Sequence, residues 1–503
     1  MYLRLFVFIS FIYCNSVYSQ LNINNTDSLD RYIKKHLSVF KLPGLVVGII
    51  KDGKVYYKQA YGVKSNTDKS PVDIHTLFPI ASITKTFTAV LVSSVTQEKN
   101  ISINTPLRNL VPGFQLSFQP YNSEISVADV LSHRSGWKTF QGDLLNTEST
   151  LSDSQLVSKL NYLHPAFPLR TKFGYSNMGF LLAGMSVKGI TGNGFDDELK
   201  MRILNPLQMN ATFIDSVAIK AYANKTLLYS QTENGIVETK TKLESPRGYG
   251  GMYASINDLC TWMQVLLDSG RYQNKQVIPH NAITQSFNSY TIIGKQAAGN
   301  RKRYLKTYGL GWEIIQYEGA EIVQHGGAYA GSLSMLAMIP SLKFGVVILT
   351  NGDFHPLQET LKWQLIDALL GIAATDYSEA AFIRQQQRKA QSAAVNTSTV
   401  VSDTEKAMSP LFEQTIEGSY TCNAYGKAWI KKENNKYMLY LEHHPTVTGE
   451  LNYKGDALFE CRYSHAMFGS ELFKFHVTEH GIAGFDLKVD SFVEDGVYLF
   501  HRD

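Results

Sequence analysis

The segment FPIASITKTFTA (residues 78–89) places Ser82 three residues before Lys85, at the start of an apolar run with helical spacing. At this spacing both side chains share one face of a helix, and the first turn of a helix has free backbone N–H groups. Such surroundings can activate a hydroxyl and stabilise an oxyanion. The segment by itself leaves open whether Ser82 is a nucleophile with Lys85 as its base. The alternative is a serine that only caps the helix, with a solvated lysine.

Two other Ser-x-x-Lys sequences occur in the chain, so the motif alone is weak evidence. Ser38 and Lys41 are followed by Leu-Pro-Gly, which indicates a helix end or a turn. Ser135 precedes a glycine, which indicates a loop. Ser82 differs because an uninterrupted apolar helical run follows it.

Three further segments carry chemically useful side chains. Tyr175-Ser176-Asn177 comes just before an apolar helix, and His325-Gly326-Gly327 lies between two predicted strands. Glycines in such a strand allow a substrate backbone to lie against its edge. LSHRSGW (131–137) forms a turn after a helix, in which we expect His133 to brace the turn rather than to act in catalysis.

In this order and spacing, the segments SITK (82–85), LSHRSGW (131–137), YSN (175–177), GYGGMYASINDL (248–259) and HGG (325–327) resemble the class C β-lactamase-related serine hydrolases. That family includes penicillin-binding-protein-like peptidases and esterases. The resemblance covers about residues 25–373.

The resemblance implies a role for each matching residue. Ser82 is the acylated nucleophile, and Lys85, desolvated and of lowered pKa, helps to take its proton. Tyr175 relays a proton to the leaving group and then activates the deacylating water. Asn177 holds Lys85 and donates to a substrate amide. The backbone N–H groups of Ser82 and Ala328 form the oxyanion hole.

One departure from true class C β-lactamases concerns the substrate. They have Lys-Thr-Gly on the strand beside the active site, where this chain has His325-Gly326-Gly327. His325 and Gly327 are expected to contact the substrate, but they offer neither a fixed charge nor a hydroxyl to a β-lactam carboxylate. Efficient β-lactam hydrolysis is therefore not expected. A purely structural role for His325 is the alternative.

The predicted fold is α+β: an antiparallel sheet flanked by helices, with a helical subdomain, followed by a small C-terminal antiparallel β-barrel. Residues 44–63 predict a hairpin around Asp52-Gly53, and apolar segments at 308–316, 332–340 and 344–350 predict further strands. Ser255 with Asp258 three residues later predicts a capping box. Strands from both ends of the segment are expected to share one sheet.

We expect four regions along the chain. Residues 1–19 have the pattern of a secretory signal peptide, with an uncleaved anchor as the alternative; after cleavage we expect no stable membrane insertion and an exported, periplasmic or secreted protein. Residues 20–375 form the hydrolase domain, 376–411 a helix tail and linker, and 412–503 a barrel that resembles the lipocalin-like domain of many family members. In this last region His443 and His444 are expected to be exposed.

Composition excludes some partners. The net charge of +4 gives no support to a nucleic-acid partner, and the run Arg301-Lys302-Arg303 is interpreted as a solvated loop.

Cys422 and Cys461 either pair or remain free thiols. No Cys/His cluster has zinc spacing, and the chemistry requires no metal or cofactor.

These observations predict a serine hydrolase that forms an acyl-enzyme with a small peptide or amide, including D-amino-acid-containing or cell-wall-derived peptides. An esterase on small acyl esters or a weak β-lactamase would use the same residues. A binding or scaffold protein that keeps the fold is the alternative of another class. Oligomeric state is left open.

Overall fold

The structure is a computed structural model that describes residues 21–232, 235–239, 247–296, 304–373, 376–398 and 408–503. The predicted signal peptide and the basic run at 301–303 lie outside the described residues, as does part of the predicted linker. Within the described ranges, no helix has both the length and the apolar character needed to cross a membrane.

The regular elements alternate along the chain, and their bounds are as follows. The helices are α1 Thr26–Val39, α2 Thr84–Glu98, α3 Tyr121–Glu124, α4 Val127–Leu131, α5 Asp153–Leu160, α6 Asn177–Thr191, α7 Phe195–Leu199, α8 Ser216–Ala221, α9 Ile256–Leu267, α10 His280–Phe287, α11 Leu357–Leu369, α12 Tyr377–Ser398 and α13 Pro410–Thr415. The strands before the C-terminal region are β1 Gly44–Lys51, β2 Lys54–Gly62, β3 Phe78–Pro79, β4 Thr212–Phe213, β5 Tyr229–Thr232, β6 Gly235–Glu238, β7 Tyr253–Ala254, β8 Arg271–Tyr272, β9 Lys275–Gln276, β10 Thr291–Gln296, β11 Tyr304–Tyr308, β12 Glu313–Tyr317, β13 Ala320–Tyr329, β14 Ser332–Ile339 and β15 Phe344–Thr350. The C-terminal strands are β16 Gly418–Cys422, β17 Gly426–Glu433, β18 Lys436–Leu441, β19 Thr448–Gly455, β20 Leu458–Tyr463, β21 Ser470–Thr478, β22 Gly481–Leu487 and β23 Tyr498–Arg502.

An eight-stranded antiparallel sheet in the order β10-β11-β12-β13-β14-β15-β1-β2 joins the two ends of the first region. The hairpin β1–β2 turns at Asp52 and Gly53, both with positive φ, as the Asp-Gly pair predicted. β1 then pairs with β15 along its length. The prediction of one antiparallel sheet built from both ends of the segment, with helices packed on it, is confirmed.

Both faces of this sheet are buried, which explains why β1 and β15 are apolar throughout. Val46 and Ile50 of β1 belong to the core that contains α2, α6 and α9. Leu45, Val47 and Ile49 face the opposite core, beneath α1 and α11. Alternate residues of one strand thus fill two cores, since successive side chains point to opposite faces.

The C-terminal strands β16 to β23 form a closed antiparallel barrel in chain order. Its interior is filled by aromatic rings, such as Phe473, Phe485 and Phe500, which stack on one another. Cys422 and Cys461 are both buried and free, so the unpaired alternative is correct. The predicted small barrel is confirmed.

Three local predictions need correction. The segment 308–316 is not one strand, because residues 309–312 separate β11 from β12. Ser255 does cap α9 by accepting from the backbone N–H of Asp258, but the Asp258 carboxylate instead accepts from the backbone N–H of Ala211 and from Thr212 Oγ1. The Asp258 carboxylate is therefore used by the chain at β4 and does not complete a capping box with the backbone N–H of Ser255.

His443 and His444 were both expected to be exposed, and this prediction is wrong: only 14% of the His443 side chain is exposed. The larger difference is at His444. It is fully buried, its ring stacks on Tyr425, and its Nε2 lies 2.9 Å from the carbonyl oxygen of Thr147. The physical reason is a tertiary contact: the barrel packs against residues 140–150 of the first region.

Candidate active site

Ser82 lies in a single 3₁₀ turn, Ala81–Ile83, that leads directly into α2. Ala81, just before it, has a φ of +46°, a conformation that costs energy for a residue with a Cβ atom. Neither the turn nor α2 receives a side-chain cap. The helix-capping alternative for Ser82 is therefore wrong, and its hydroxyl is available to Lys85.

Lys85 is fully buried on α2, and its Nζ has three oxygen atoms around it. Ser82 Oγ lies at 3.2 Å, Asn177 Oδ1 at 2.7 Å and the carbonyl oxygen of Tyr249 at 2.7 Å. Burial lowers the pKa of Lys85 to about 7, although the carboxylate of Asp143 opposes this shift. A large fraction of the amine is therefore neutral near pH 7.

Asn177 is the first residue of α6, and it connects Lys85 to an acidic residue that the sequence analysis did not single out. Its Nδ2 donates to Asp143 Oδ2 at 2.5 Å, while its Oδ1 faces Lys85. Ser176 caps α6 by accepting from the backbone N–H of Gly179. The expected contact between Asn177 and Lys85 is thus present in the structure.

Tyr175 lies above this pair, with Lys85 Nζ 4.8 Å from the centre of its ring. Burial raises the pKa of the Tyr175 phenol above its usual value, and a hydrogen bond with Ser82 opposes this shift. His133 Nδ1 accepts from the backbone N–H of Ser176 at 3.0 Å, and its ring lies against that of Tyr175. His133 therefore braces the Tyr-Ser-Asn segment, in agreement with its expected role.

The opposite wall of the site is the end of β13. β12 pairs with β13 as far as Glu313 opposite Gln324, and residues 325–329 continue past that pair along the cavity. A Cβ atom on Gly327 would collide with Ser334 Oγ and would lie 2.5 Å from the carbonyl oxygen of Ile80. Glycine at 327 thus lets β13 approach the segment that carries Ser82.

His325 is buried and makes two contacts with protein groups. Its Nδ1 donates to the carbonyl oxygen of Gly326 at 2.6 Å, so its Nε2 accepts from the Tyr308 hydroxyl at 2.8 Å. Burial lowers its pKa to about 4, which keeps the ring neutral. These contacts support the structural alternative, while a substrate contact of His325 stays a prediction.

Ser82, Tyr175, Asn177, His325, Gly327 and Ala328 all line one cavity of about 540 Å³, a volume suited to a small organic ligand. Lys85 lies directly beneath it. The oxyanion hole formed by the N–H groups of Ser82 and Ala328 stays a prediction. Met467, Phe492 and Val493 of the C-terminal region also line the cavity, so the barrel forms part of its wall.

Sequence reasoning missed two residues near Lys85: Tyr249, which contacts its Nζ, and Asp143, which accepts from its partner Asn177. Asp143 follows no recognisable motif, and Tyr249 acts through its backbone carbonyl, which any residue type could supply. The Tyr249 hydroxyl in turn accepts from Asn146 Nδ2. The segment that contains Tyr249 was noted only as part of the resemblance, and no pattern in the chain assigns it a contact with Lys85.

In the described part of the chain, no group of three or more His, Cys, Asp or Glu side chains is arranged to hold a metal ion. The arrangement offers a hydroxyl and a phenol that line one cavity, and a buried amine with a pKa near neutrality in contact with the hydroxyl. Such a set is suited to acyl transfer through a serine ester.

Comparison with known protein families matches residues 29–370 to the Beta-lactamase family. The chain belongs to this family. The match includes every residue placed around Ser82 above except those that the barrel contributes. Family membership identifies the fold and the class of protein, a β-lactamase- or penicillin-binding-protein-like serine hydrolase.

Two curated relatives share about a quarter of their aligned residues with this member of the Beta-lactamase family. Unguisins hydrolase ungD of Aspergillus violaceofuscus is 27% identical over 371 residues, which cover 69% of this chain and 65% of that protein. The chain thus spans somewhat less than two thirds of that relative. Protein flp of Staphylococcus aureus is 24% identical over 359 residues, which cover 69% of this chain and 68% of that protein.

Among solved structures, the octameric penicillin-binding protein homologue from Pyrococcus abyssi has a similar fold. It aligns with a TM-score of 0.62 and 18% identity, and the alignment covers 95% of this chain and 100% of that one. At this identity the likeness concerns the fold alone. It includes the C-terminal barrel as well as the sheet and the helices.

Proposed function

We propose that this protein is a serine hydrolase that acts through an acyl-enzyme on Ser82, with small peptides or amides as substrates. The observation that carries the proposal is the position of Ser82 Oγ 3.2 Å from the fully buried Nζ of Lys85. Membership of the Beta-lactamase family supports the reaction class. The substrate class rests on the chemistry of the cavity.

The contacts of Lys85 suit a neutral amine that acts as a base. A neutral amine has two N–H groups and one lone pair, and Lys85 has two acceptors that cannot donate, Asn177 Oδ1 and the carbonyl oxygen of Tyr249. Both N–H groups can therefore be satisfied there. The lone pair is then left for the O–H of Ser82, so that the proton moves to Lys85 as Oγ attacks the substrate carbonyl.

Tyr175 is suited to donate a proton, whereas Lys85 is suited to accept one. Its pKa is raised by burial, so the phenol keeps its proton at neutral pH and can donate it to the leaving group. Tyr175, left as a phenolate, can then take a proton from the water that attacks the ester, and the proton on Lys85 passes to Ser82 Oγ as that oxygen leaves. The Oγ–acyl bond breaks in this second step, and Ser82 is restored.

The cavity wall favours substrates whose binding does not depend on a carboxylate held by a cation on β13. His325, which stands where class C β-lactamases have lysine, is neutral because its pKa is lowered to about 4. A β-lactam carboxylate therefore lacks its usual cation at this strand. Peptides and amides, including D-amino-acid-containing and cell-wall-derived ones, remain suitable because β13 can pair with an extended backbone. One relative's name, unguisins hydrolase, agrees with a hydrolytic activity.

The test is labelling with a fluorophosphonate probe, followed by intact-mass measurement and peptide mapping. We expect one adduct, on Ser82. Ser82→Ala should abolish it, whereas Ser38→Ala, at an exposed Ser-x-x-Lys motif, should leave it unchanged. No adduct on the folded protein would contradict the proposal and favour a binding or scaffold protein.

A substrate panel then separates the remaining alternatives. D-Ala-containing peptides, p-nitrophenyl esters of increasing acyl length and a chromogenic cephalosporin should be compared by kcat/KM with the same enzyme preparation. Peptides turned over better than esters would support the proposed class. Preference for esters would favour the esterase, which uses the same residues.

We also propose that the protein is exported through residues 1–19. The apolar segment Leu5–Tyr13 after Arg4, and Val17 and Ser19 before the expected cleavage site, support this proposal. N-terminal sequencing of the protein recovered outside the cytoplasm should begin at Gln20. An intact N-terminus in the membrane fraction would favour the uncleaved anchor.

A further inference from the structure

One acidic side chain of the barrel reaches into the wall of the candidate active site. Glu494 precedes β23 and is only 3% exposed. Its Oε1 accepts from the backbone N–H of Gly142 at 2.8 Å, and its Oε2 accepts from the backbone N–H of Leu144 at 3.0 Å. Both carboxylate oxygens of one side chain are thus used by a single loop that belongs to the other region.

The two amides lie on either side of Asp143. Asp143 accepts from Asn177, and Asn177 Oδ1 faces Lys85 Nζ at 2.7 Å. A continuous set of contacts therefore runs from the barrel to the base proposed for Ser82. A shift of the backbone at residue 142 or 144 would move Asp143, and with it the partner that orients Asn177.

The loop has features that make an external support useful. Gly142 has a φ of +89°, and residues 143–145 form only one 3₁₀ turn. N–H groups at the start of such a turn lack partners within it. Glu494 supplies these partners, and the Tyr498 hydroxyl holds the carboxylate from the barrel side at 3.1 to 3.2 Å.

Further contacts fix the same loop to the barrel beyond Glu494. His444 Nε2 donates to the carbonyl oxygen of Thr147, and the backbone N–H of Thr150 donates to the carbonyl oxygen of His443 at 2.9 Å. Phe492 lies against Phe140 at the other end of the loop. Glu494 is the residue of this interface that bonds the backbone on both sides of Asp143. Burying a carboxylate costs free energy, so an apolar side chain would suit a contact that only filled space.

We propose that Glu494 is a positioning residue for the active site: by holding the backbone on both sides of Asp143, it sets Asn177 and Lys85 in place against Ser82. The barrel is then a component of the active site and not only an appended domain. The proposal rests on the proposed function in one respect, since acylation of Ser82 is its main readout.

The test uses the full chain with Glu494→Gln and Glu494→Ala. Gln keeps the size of the side chain but can accept only one of the two N–H groups, and Ala accepts neither. We expect the rate constant for labelling Ser82 to fall about tenfold in the Gln variant and further in the Ala variant, since small misplacements of a catalytic group have large effects on rate. On a good substrate, kcat should fall while KM changes less than about threefold.

Two controls separate positioning from a general loss of structure. Glu450→Gln removes a barrel carboxylate that pairs with Lys436, and it should leave the labelling rate unchanged. At pH 9, where Lys85 is neutral in every variant, Asp143→Asn should slow labelling, and adding Glu494→Gln to it should have little further effect if Glu494 acts through Asp143. Fully additive effects, or labelling of both folded Glu494 variants within about twofold of the parent, would overturn the proposal.

Hydrogen exchange provides a readout that needs no activity. Peptides covering residues 140–150 should exchange faster in Glu494→Gln than in the parent, while peptides from α2 should not change. A parent protein that takes no adduct on Ser82 would contradict the proposed function. In that case unchanged exchange at 140–150 would overturn the holding role of Glu494, and faster exchange would support it.

Discussion

Asn177 accepts a 2.7 Å hydrogen bond from Lys85 Nζ and donates through Nδ2 to Asp143. The Asn177 amide therefore lies between Lys85 and the buried carboxylate of Asp143. Without this amide, we expect the carboxylate to stabilise the charged form of Lys85 more strongly. Asp143 raises the pKa of Lys85, whereas burial lowers it to about 7. The balance keeps the amine close to neutrality, where it can both accept and return a proton.

The first prediction concerns the pH dependence of acylation. Only the neutral form of Lys85 can accept the Ser82 proton, so the labelling rate should rise with pH through an apparent pKa of about 7 and then level off. The measurement is the second-order rate constant for the fluorophosphonate from pH 5 to 9. A flat profile over this range would contradict the assignment of Lys85 as the base.

The same pKa has a consequence for stability. Burial holds the pKa of Lys85 at about 7 in the folded protein, below the usual lysine value of 10.5, so unfolding takes up a proton between about pH 7 and pH 10.5. The contribution of Lys85 to the free energy of unfolding should therefore increase as pH rises from about 7. Urea unfolding at several pH values should show a smaller increase in Lys85→Met than in the parent.

The second prediction concerns the proton-transfer groups. Lys85→Ala and Tyr175→Phe should each lower turnover at least about a hundredfold, because each removes a group that moves a proton. Circular dichroism should show an intact fold in both variants. Activity retained in Lys85→Ala would require another base, and activity retained in Tyr175→Phe would remove the phenol from the proposed relay.

The third prediction compares two adjacent glycines on β13. A Cβ atom at Gly327 would collide with Ser334 Oγ and the backbone of Ile80, whereas one at Gly326 would lie 3.2 Å from the flexible end of Met335. Gly327→Ala should therefore displace β13 from Ser82, lower the free energy of unfolding by about 1 to 3 kcal/mol and reduce labelling. Gly326→Ala should be tolerated, and equal effects of the two changes would contradict this interpretation.

The fourth prediction concerns the support of the His133 turn. The fully buried carboxylate of Asp129 accepts from Arg134, Arg170 and Ser126. Asp129→Ala leaves two arginines without their carboxylate and should lower the free energy of unfolding by about 3 kcal/mol. Glu98→Gln, which removes a half-exposed partner of Arg202, is the matched control and should cost less than about 1 kcal/mol. Urea unfolding measures both.

Local sequence was sufficient to predict the elements that are marked by turn residues or by hydrophobic periodicity. The hairpin at Asp52-Gly53, the apolar helix after Ser82 and the alternating strands of the barrel follow from turn chemistry and periodicity over short windows. The Ser82–Lys85 pair is also local, because three residues of helix bring the two side chains together. The order of the motifs then indicated the family before any contact was known.

Tertiary structure decided what surrounds that pair. Burial of Lys85 lowers its pKa, and the groups that contact its Nζ from elsewhere in the chain are Asn177 of α6 and the carbonyl oxygen of Tyr249. The burial of His444 and the contact of Glu494 with Gly142 arise because the barrel packs on residues 140–150, an arrangement that no periodicity encodes. Desolvation and long-range hydrogen bonds depend on which surfaces meet, and a linear pattern carries no information about that.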